Sequence, residues 1–108
     1  MAALPPHWFQ ILLALADSER HGLGIMEDVL DRTSGAMRLW PGMLYRNLRR
    51  LEEEGLIVEV RRPLAAPEPG SPRYFQITAA GRRACAAEAR RLESYVEAAR
   101  SKNLLKRT

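Results

Sequence analysis

Arg38, Arg46, Arg49 and Arg50 fall in a stretch without a single carboxylate, and Glu52, Glu53 and Glu54 then follow in a row. A guanidinium is always charged, and its planar fork matches phosphate oxygens or the O6/N7 edge of guanine. The chemistry these residues offer is therefore recognition of a polyanion. Bond-making chemistry has little support. His7 and His21 are isolated, no carboxylate pair sits on an apolar face, and the lone Cys85 has no histidine near it in sequence. No catalytic residue, metal or cofactor is expected.

The element that must position the arginines runs from Pro41 to Gly55. Proline suits a first helical turn, where its missing N–H has no partner, and glycine supplies the left-handed residue that stops a helix. Leu44, Leu48 and Leu51 recur at i, i+4, i+7 and form an apolar stripe. Gly42, Arg46, Arg49 and Arg50 point roughly the other way, with Met43 and Tyr45 on the flanks. The three glutamates lie at the C-terminal end, where the helix dipole disfavours them. That placement makes sense if the N-terminal half approaches phosphates and the C-terminal half points away, as in a helix-turn-helix recognition helix. The alternative is that Arg49 and Arg50 form exposed ion pairs with Glu52, Glu53 or Glu54, worth roughly 0.2–0.5 kcal/mol each.

The chain of 108 residues fits one small domain with one appended helix. Its net charge of +4 and pI near 9.8 favour an acidic partner. The longest apolar run, Ile11 to Ala16, is too short to span a bilayer, and the N-terminus has no basic leader region. The protein is expected to be soluble and cytoplasmic, with no membrane partner. One cysteine excludes an internal disulfide and fits a reducing compartment.

A first helix is predicted over Pro6–Ala16, apolar almost all the way round and therefore in need of cover from a second subunit or a long C-terminal helix. A second helix opens at His21-Gly22-Leu23-Gly24-Ile25 and runs to about Thr33, with Ile25, Val29 and Leu30 inward and its two glycines closely packed against a neighbour. Helix, short turn, helix is the skeleton of a helix-turn-helix. Beyond Gly55, alternation predicts two strands, one burying Val58 and Val60, the other burying Phe75 and Ile77. The proline-rich stretch between them forms the tip of a β-hairpin wing, flanked by Arg61, Arg62 and Arg73. Thr78 caps a last helix from Ala79 to about Lys102. There Cys85, Leu92 and Ala99 are spaced by seven, with Tyr95 and Val96 filling the same coiled-coil-like seam.

Three spaced motifs together resemble the PadR-type winged-helix transcriptional regulators. They are His21-Gly22-x-x-Ile25, then Pro41-Gly42-x-Leu44-Tyr45-x-x-Leu48-x-x-Leu51-Glu52-x-x-Gly55-Leu56-Ile57, then Arg73-Tyr74-x-x-x-Thr78-x-x-Gly81-Arg82. The resemblance implies a homodimer, usually a repressor, on a roughly palindromic operator in double-stranded DNA. The recognition helix would lie in the major groove and the wing along the backbone. It implies that the C-terminal helix and the first helix build the dimer interface, and that Tyr45 contacts phosphate through its hydroxyl. This chain departs from the family where a Ser before the proline and a Thr two residues after it are frequent, since Trp40 and Met43 stand there. The capping hydrogen bond is then lost.

The expected fold is mainly α with a small β-hairpin wing: a winged helix-turn-helix over residues 1–78, then a dimerisation helix and basic tail over 79–108. Arg38, Gly42, Met43, Tyr45, Arg46, Arg49, Arg50, Arg61 and Arg73 are the expected DNA-binding residues. Trp8, Leu12, Cys85, Leu92, Tyr95, Val96 and Ala99 are expected at the dimer interface. An effector ligand is left open, and a winged-helix protein-interaction module is the alternative function.

Overall fold

The structure, a computed structural model, describes residues 3–60 and 73–106. Chain order is α1 (Pro6–Leu15), β1 (Arg20–His21), α2 (Gly22–Arg32), α3 (Pro41–Glu53), β2 (Ile57–Val60), β3 (Tyr74–Ile77) and α4 (Ala79–Ser101). The strands form an antiparallel sheet in the order β1-β3-β2.

Local chemistry marks most boundaries. Pro6 and Pro41 stand in the opening turns of α1 and α3. His21 caps α2, its Nδ1 accepting the Gly24 amide at 2.9 Å. Thr78 caps α4, its Oγ1 accepting the Gly81 amide at 3.0 Å and donating to the Gly55 carbonyl at 2.6 Å. Gly55, at φ +74°, ends α3 and lets the Leu56 amide return to the Leu51 carbonyl at 2.9 Å. One threonine thereby fixes where α4 starts relative to where α3 stops.

The core is built from Ile11, Leu12 and Leu15 of α1, Ile25 and Val29 of α2, the leucine stripe of α3, and Ile57, Phe75, Ile77 and Cys85. The apolar girth of α1 is covered within the single chain, by α2, α3, β3 and α4. Two expectations for the sheet are corrected. Arg20–His21 forms a third strand against Phe75 and Tyr74. On β2 it is Ile57 that is buried and Val58 that faces out, because Ile57 pairs with the buried Ile77 and Val58 with the exposed Gln76.

Gly81 leaves no room for a side chain. A Cβ there would collide with the Leu56 carbonyl oxygen and approach Ile77 Cγ1 to 2.8 Å. The obstacle is backbone, which cannot swing aside. Gly81→Ala is expected to cost about 1–3 kcal/mol as overpacking, despite alanine's better helix propensity, read by thermal or urea unfolding.

Glu88 is the buried carboxylate among the described residues. It receives the Arg91 guanidinium through Nε, at 2.9 Å, and through a second nitrogen, and it also accepts the Leu4 amide at 3.2 Å. The Arg91 hydrogen bonds first, and the Leu4 amide after them, hold this carboxyl below the ordinary glutamate value against the opposing effect of burial. A lowered native pKa contributes stability that is present above the unfolded value and lost as pH falls through the native one. Melting temperature followed downward from the ordinary glutamate value into more acidic solution should lose this contribution, and Glu88→Gln should flatten that acid limb.

Candidate nucleic-acid interface

The leucine stripe seats α3, and all three of its leucines are buried. Everything the stripe faces away from is solvent-facing: Gly42, Arg46, Arg49 and Arg50 are exposed, and nothing lies within 4 Å of a Cβ built on Gly42. Among the described residues, none of Arg46, Arg49 and Arg50 lies within ion-pair distance of a carboxylate. The competing picture, in which these arginines pair with the glutamates one turn on, is therefore not what the helix does. The cationic face is open.

The N-terminus of α3 lacks a side-chain cap. Trp40 stands at the cap position 61% exposed, and the Arg38 guanidinium stacks 5.6 Å from its ring centroid. Met43 is half-buried and packs against the core, so only part of its side chain faces outward. Tyr45 is 44% exposed. Its hydroxyl occupies the space above Gly22, where a Cβ would come within 2.5 Å of it. The close packing expected of the second helix is thus made between Gly22 and Tyr45.

A polar tie between α3 and α1 comes from Asn47, which the sequence does not single out. Its Oδ1 accepts the Trp8 indole N–H at 3.1 Å while its Nδ2 donates to the Met43 carbonyl at 2.9 Å. No spacing rule picks out one polar residue on the flank of an apolar stripe. Trp8, placed by the sequence at a dimer interface, is half-buried and used in this bridge from α1 to α3.

Arg73 differs from the helical arginines. Its guanidinium lies 2.7 Å from Glu59 and 3.6 Å from Glu52, and 5.3 Å from the Phe75 ring centroid. The hydrogen bond it donates to Glu59 raises its pKa above the ordinary guanidinium value. Arg61 lies outside the described residues.

The expected dimer seam divides along α4. Leu12 is 0% exposed and Cys85 is buried, so both are packed inside one protomer and have almost no surface to offer a partner; their assignment to the interface is corrected on that ground. Burial also pushes the Cys85 thiol up, keeping it protonated as a small packing residue. Further along, Tyr95 is 61% exposed and Val96 is exposed, with Leu92 and Ala99 half-buried between them. This half of α4 projects from a molecule 55 Å long and 28 by 24 Å across.

The family model described as the transcriptional regulator PadR-like family matches residues 11–87. The chain belongs to the PadR-like family of transcriptional regulators. It is 35% identical to the transcriptional regulator Rv3488 of Mycobacterium tuberculosis over 83 residues, which is 77% of this chain and 72% of that protein. Solved PadR-like and related structures share the fold. A PadR family transcription regulator from Clostridium difficile superposes with a TM-score of 0.65 at 19% identity, over 91% of this chain and 99% of that one. A transcriptional regulator from Clostridium thermocellum does so at 0.66 and 20% identity, over 93% and 92%. The matched span in this PadR-like chain holds the whole of α3 and all three strands. No described helix is long and apolar enough to cross a membrane, and no cluster of potential metal ligands occurs among the described residues.

Proposed function

We propose that this PadR-like chain acts in the cytoplasm as a homodimeric repressor, reading a roughly palindromic operator with α3 in the major groove. The carrying observation is the open cationic face of α3, held outward by a fully buried leucine stripe. Arg46 is assigned to base edges with Gly42 and the exposed part of Met43. Arg38, Tyr45, Arg49 and Arg50 are assigned to the phosphate backbone, which fixes register without carrying sequence information. Arg61 is assigned the same role.

Residues 1–78 form the DNA-binding unit and 79–108 the dimerisation helix and tail. Division here is one of role, since the first turns of α4 complete the core through Cys85. The face of Leu92, Tyr95, Val96 and Ala99, exposed at Tyr95 and Val96, supports pairing with a second copy, and Trp8 is assigned to the same interface.

Fluorescence anisotropy against the chain's own upstream promoter and a scrambled duplex, repeated across a salt series, tests this reading. Promoter binding roughly 10³-fold tighter or more than scrambled binding is expected, together with a two-fold symmetric footprint and repression of a reporter. Equal, steeply salt-dependent binding to both duplexes would replace it with a protein-interaction role for the same scaffold. Sedimentation of wild type and Tyr95→Asp tests the dimer, with a shift to monomer expected in the variant.

A further inference from the structure

We propose that Arg73 is a positioning residue, tying the hairpin to the DNA-facing helix, and not one of the cations that touch phosphate. The inference rests on the reading of α3 as a DNA-binding helix. Strand alternation places Arg73 on the same side as Phe75 and Ile77, both buried, and opposite to Tyr74 and Gln76. It therefore lies on the α3 side of the hairpin, with about half of its side chain, 53%, still open to solvent. There it meets carboxylates from two elements, Glu59 Oε2 of β2 at 2.7 Å and Glu52 Oε1 of α3 at 3.6 Å, while its guanidinium carbon stacks 5.3 Å from the Phe75 ring centroid. The cleft it borders, about 320 Å³, is lined also by Tyr45, Leu48, Arg49, Glu52 and Glu53.

This arrangement accounts for two features of the sequence. A glutamate at the C-terminal end of α3 opposes the helix dipole. Glu52 acquires a purpose as the anchor on the α3 side. Glu59 pairs with Phe75 in register, which puts it on the same strand face as Arg73 and within reach of that cation. An isolated exposed ion pair contributes little. Two carboxylates and a ring around one planar cation select a single geometry for the hairpin relative to α3, and both elements must engage one duplex together.

The test is promoter-duplex anisotropy across a salt series for wild type, Arg73→Gln, Glu59→Gln and the double variant, with thermal melting of the same four proteins. Each single variant is expected to weaken promoter binding about 3- to 10-fold, the double variant no further, and the salt slope to stay at the wild-type value. The charge swap Arg73→Glu with Glu59→Arg should recover binding relative to Arg73→Glu alone. A phosphate-contacting Arg73 gives the opposite pattern. Arg73→Gln would then lower the salt slope by about one phosphate, and Glu59→Gln would tighten binding by freeing the cation. That pattern, or promoter binding unchanged in every variant, overturns the proposal. If wild type itself does not prefer the promoter, the DNA-binding reading fails separately. The tie is then judged on melting alone, where non-additive single and double variants uphold it and additive ones overturn it.

Discussion

Arg46→Ala is expected to relax base preference at one position in each half-site and to weaken operator binding by about 1–3 kcal/mol per half-site. Affinity for scrambled DNA should fall far less. Arg46 follows directly after Tyr45 in the second turn of α3, on the face opposite Leu44 and Leu48, exposed and without a carboxylate partner among the described residues. A guanidinium there is free to present its fork to a guanine edge, and the two half-sites of the proposed dimer would double the effect. Arg49→Ala, one helical turn further on, is the matched control. It should weaken all sequences alike and flatten the salt dependence, because a phosphate contact carries charge without base identity. A binding-site selection on both variants separates the roles. An unchanged preference in Arg46→Ala would transfer base reading to another residue, with Met43 and Gly42 next in line on the same face.

The parts of this molecule that were legible in its sequence are those whose cause is local. Pro41, Gly55 and Thr78 each act within a turn of their own position, so α3 and the start of α4 could be bounded without knowing the fold. The leucine stripe did the same for the orientation of α3. What was misread depends on pairing between distant segments. β1 is two residues in a polar turn, made a strand only by Phe75 and Tyr74 more than fifty positions away. Ile57-Val58-Glu59-Val60 offers an apolar residue in either register. Pairing with β3 selects the one that buries Ile57, and the charge it places on that face is Glu59, to which Arg73 donates.

The candidate interface shows the same division. The cations of α3 were identifiable because the helix is amphipathic. Whether any cation was free or tied was not, since that depends on side chains brought in from elsewhere. Arg49 and Arg50 have potential partners one turn away and leave them unused, whereas Arg73 reaches Glu59 across the hairpin and Glu52 on another element. Leu12 and Tyr95 make the converse point for the dimer seam. Both are apolar and helical, yet one is sealed in the core and the other stands in solvent, because only the first half of α4 has a layer beneath it.

Phe75→Ala should be the most destabilising single truncation in the chain. Phe75 is the largest of the fully buried side chains among the described residues and sits in β3, the central strand, paired with Arg20 on one side and Glu59 on the other. Losing a buried phenyl group costs about 3–5 kcal/mol in transfer and cavity terms together. Domains of this size have total stabilities of about 5–15 kcal/mol, so the variant should melt roughly 12–25 °C lower and be partly unfolded near physiological temperature. Protein concentration must be matched in the comparison, since the proposed dimer would add concentration-dependent stability. Phe75→Leu retains much of the volume and should lose far less, roughly 1 kcal/mol. The two variants also separate stability from geometry. Both remove the ring on which Arg73 stacks, so Phe75→Leu, folded at assay temperature, should still bind its operator more weakly than its small stability loss accounts for. Full retention of operator affinity in Phe75→Leu would mean that the two carboxylates alone hold Arg73 in place.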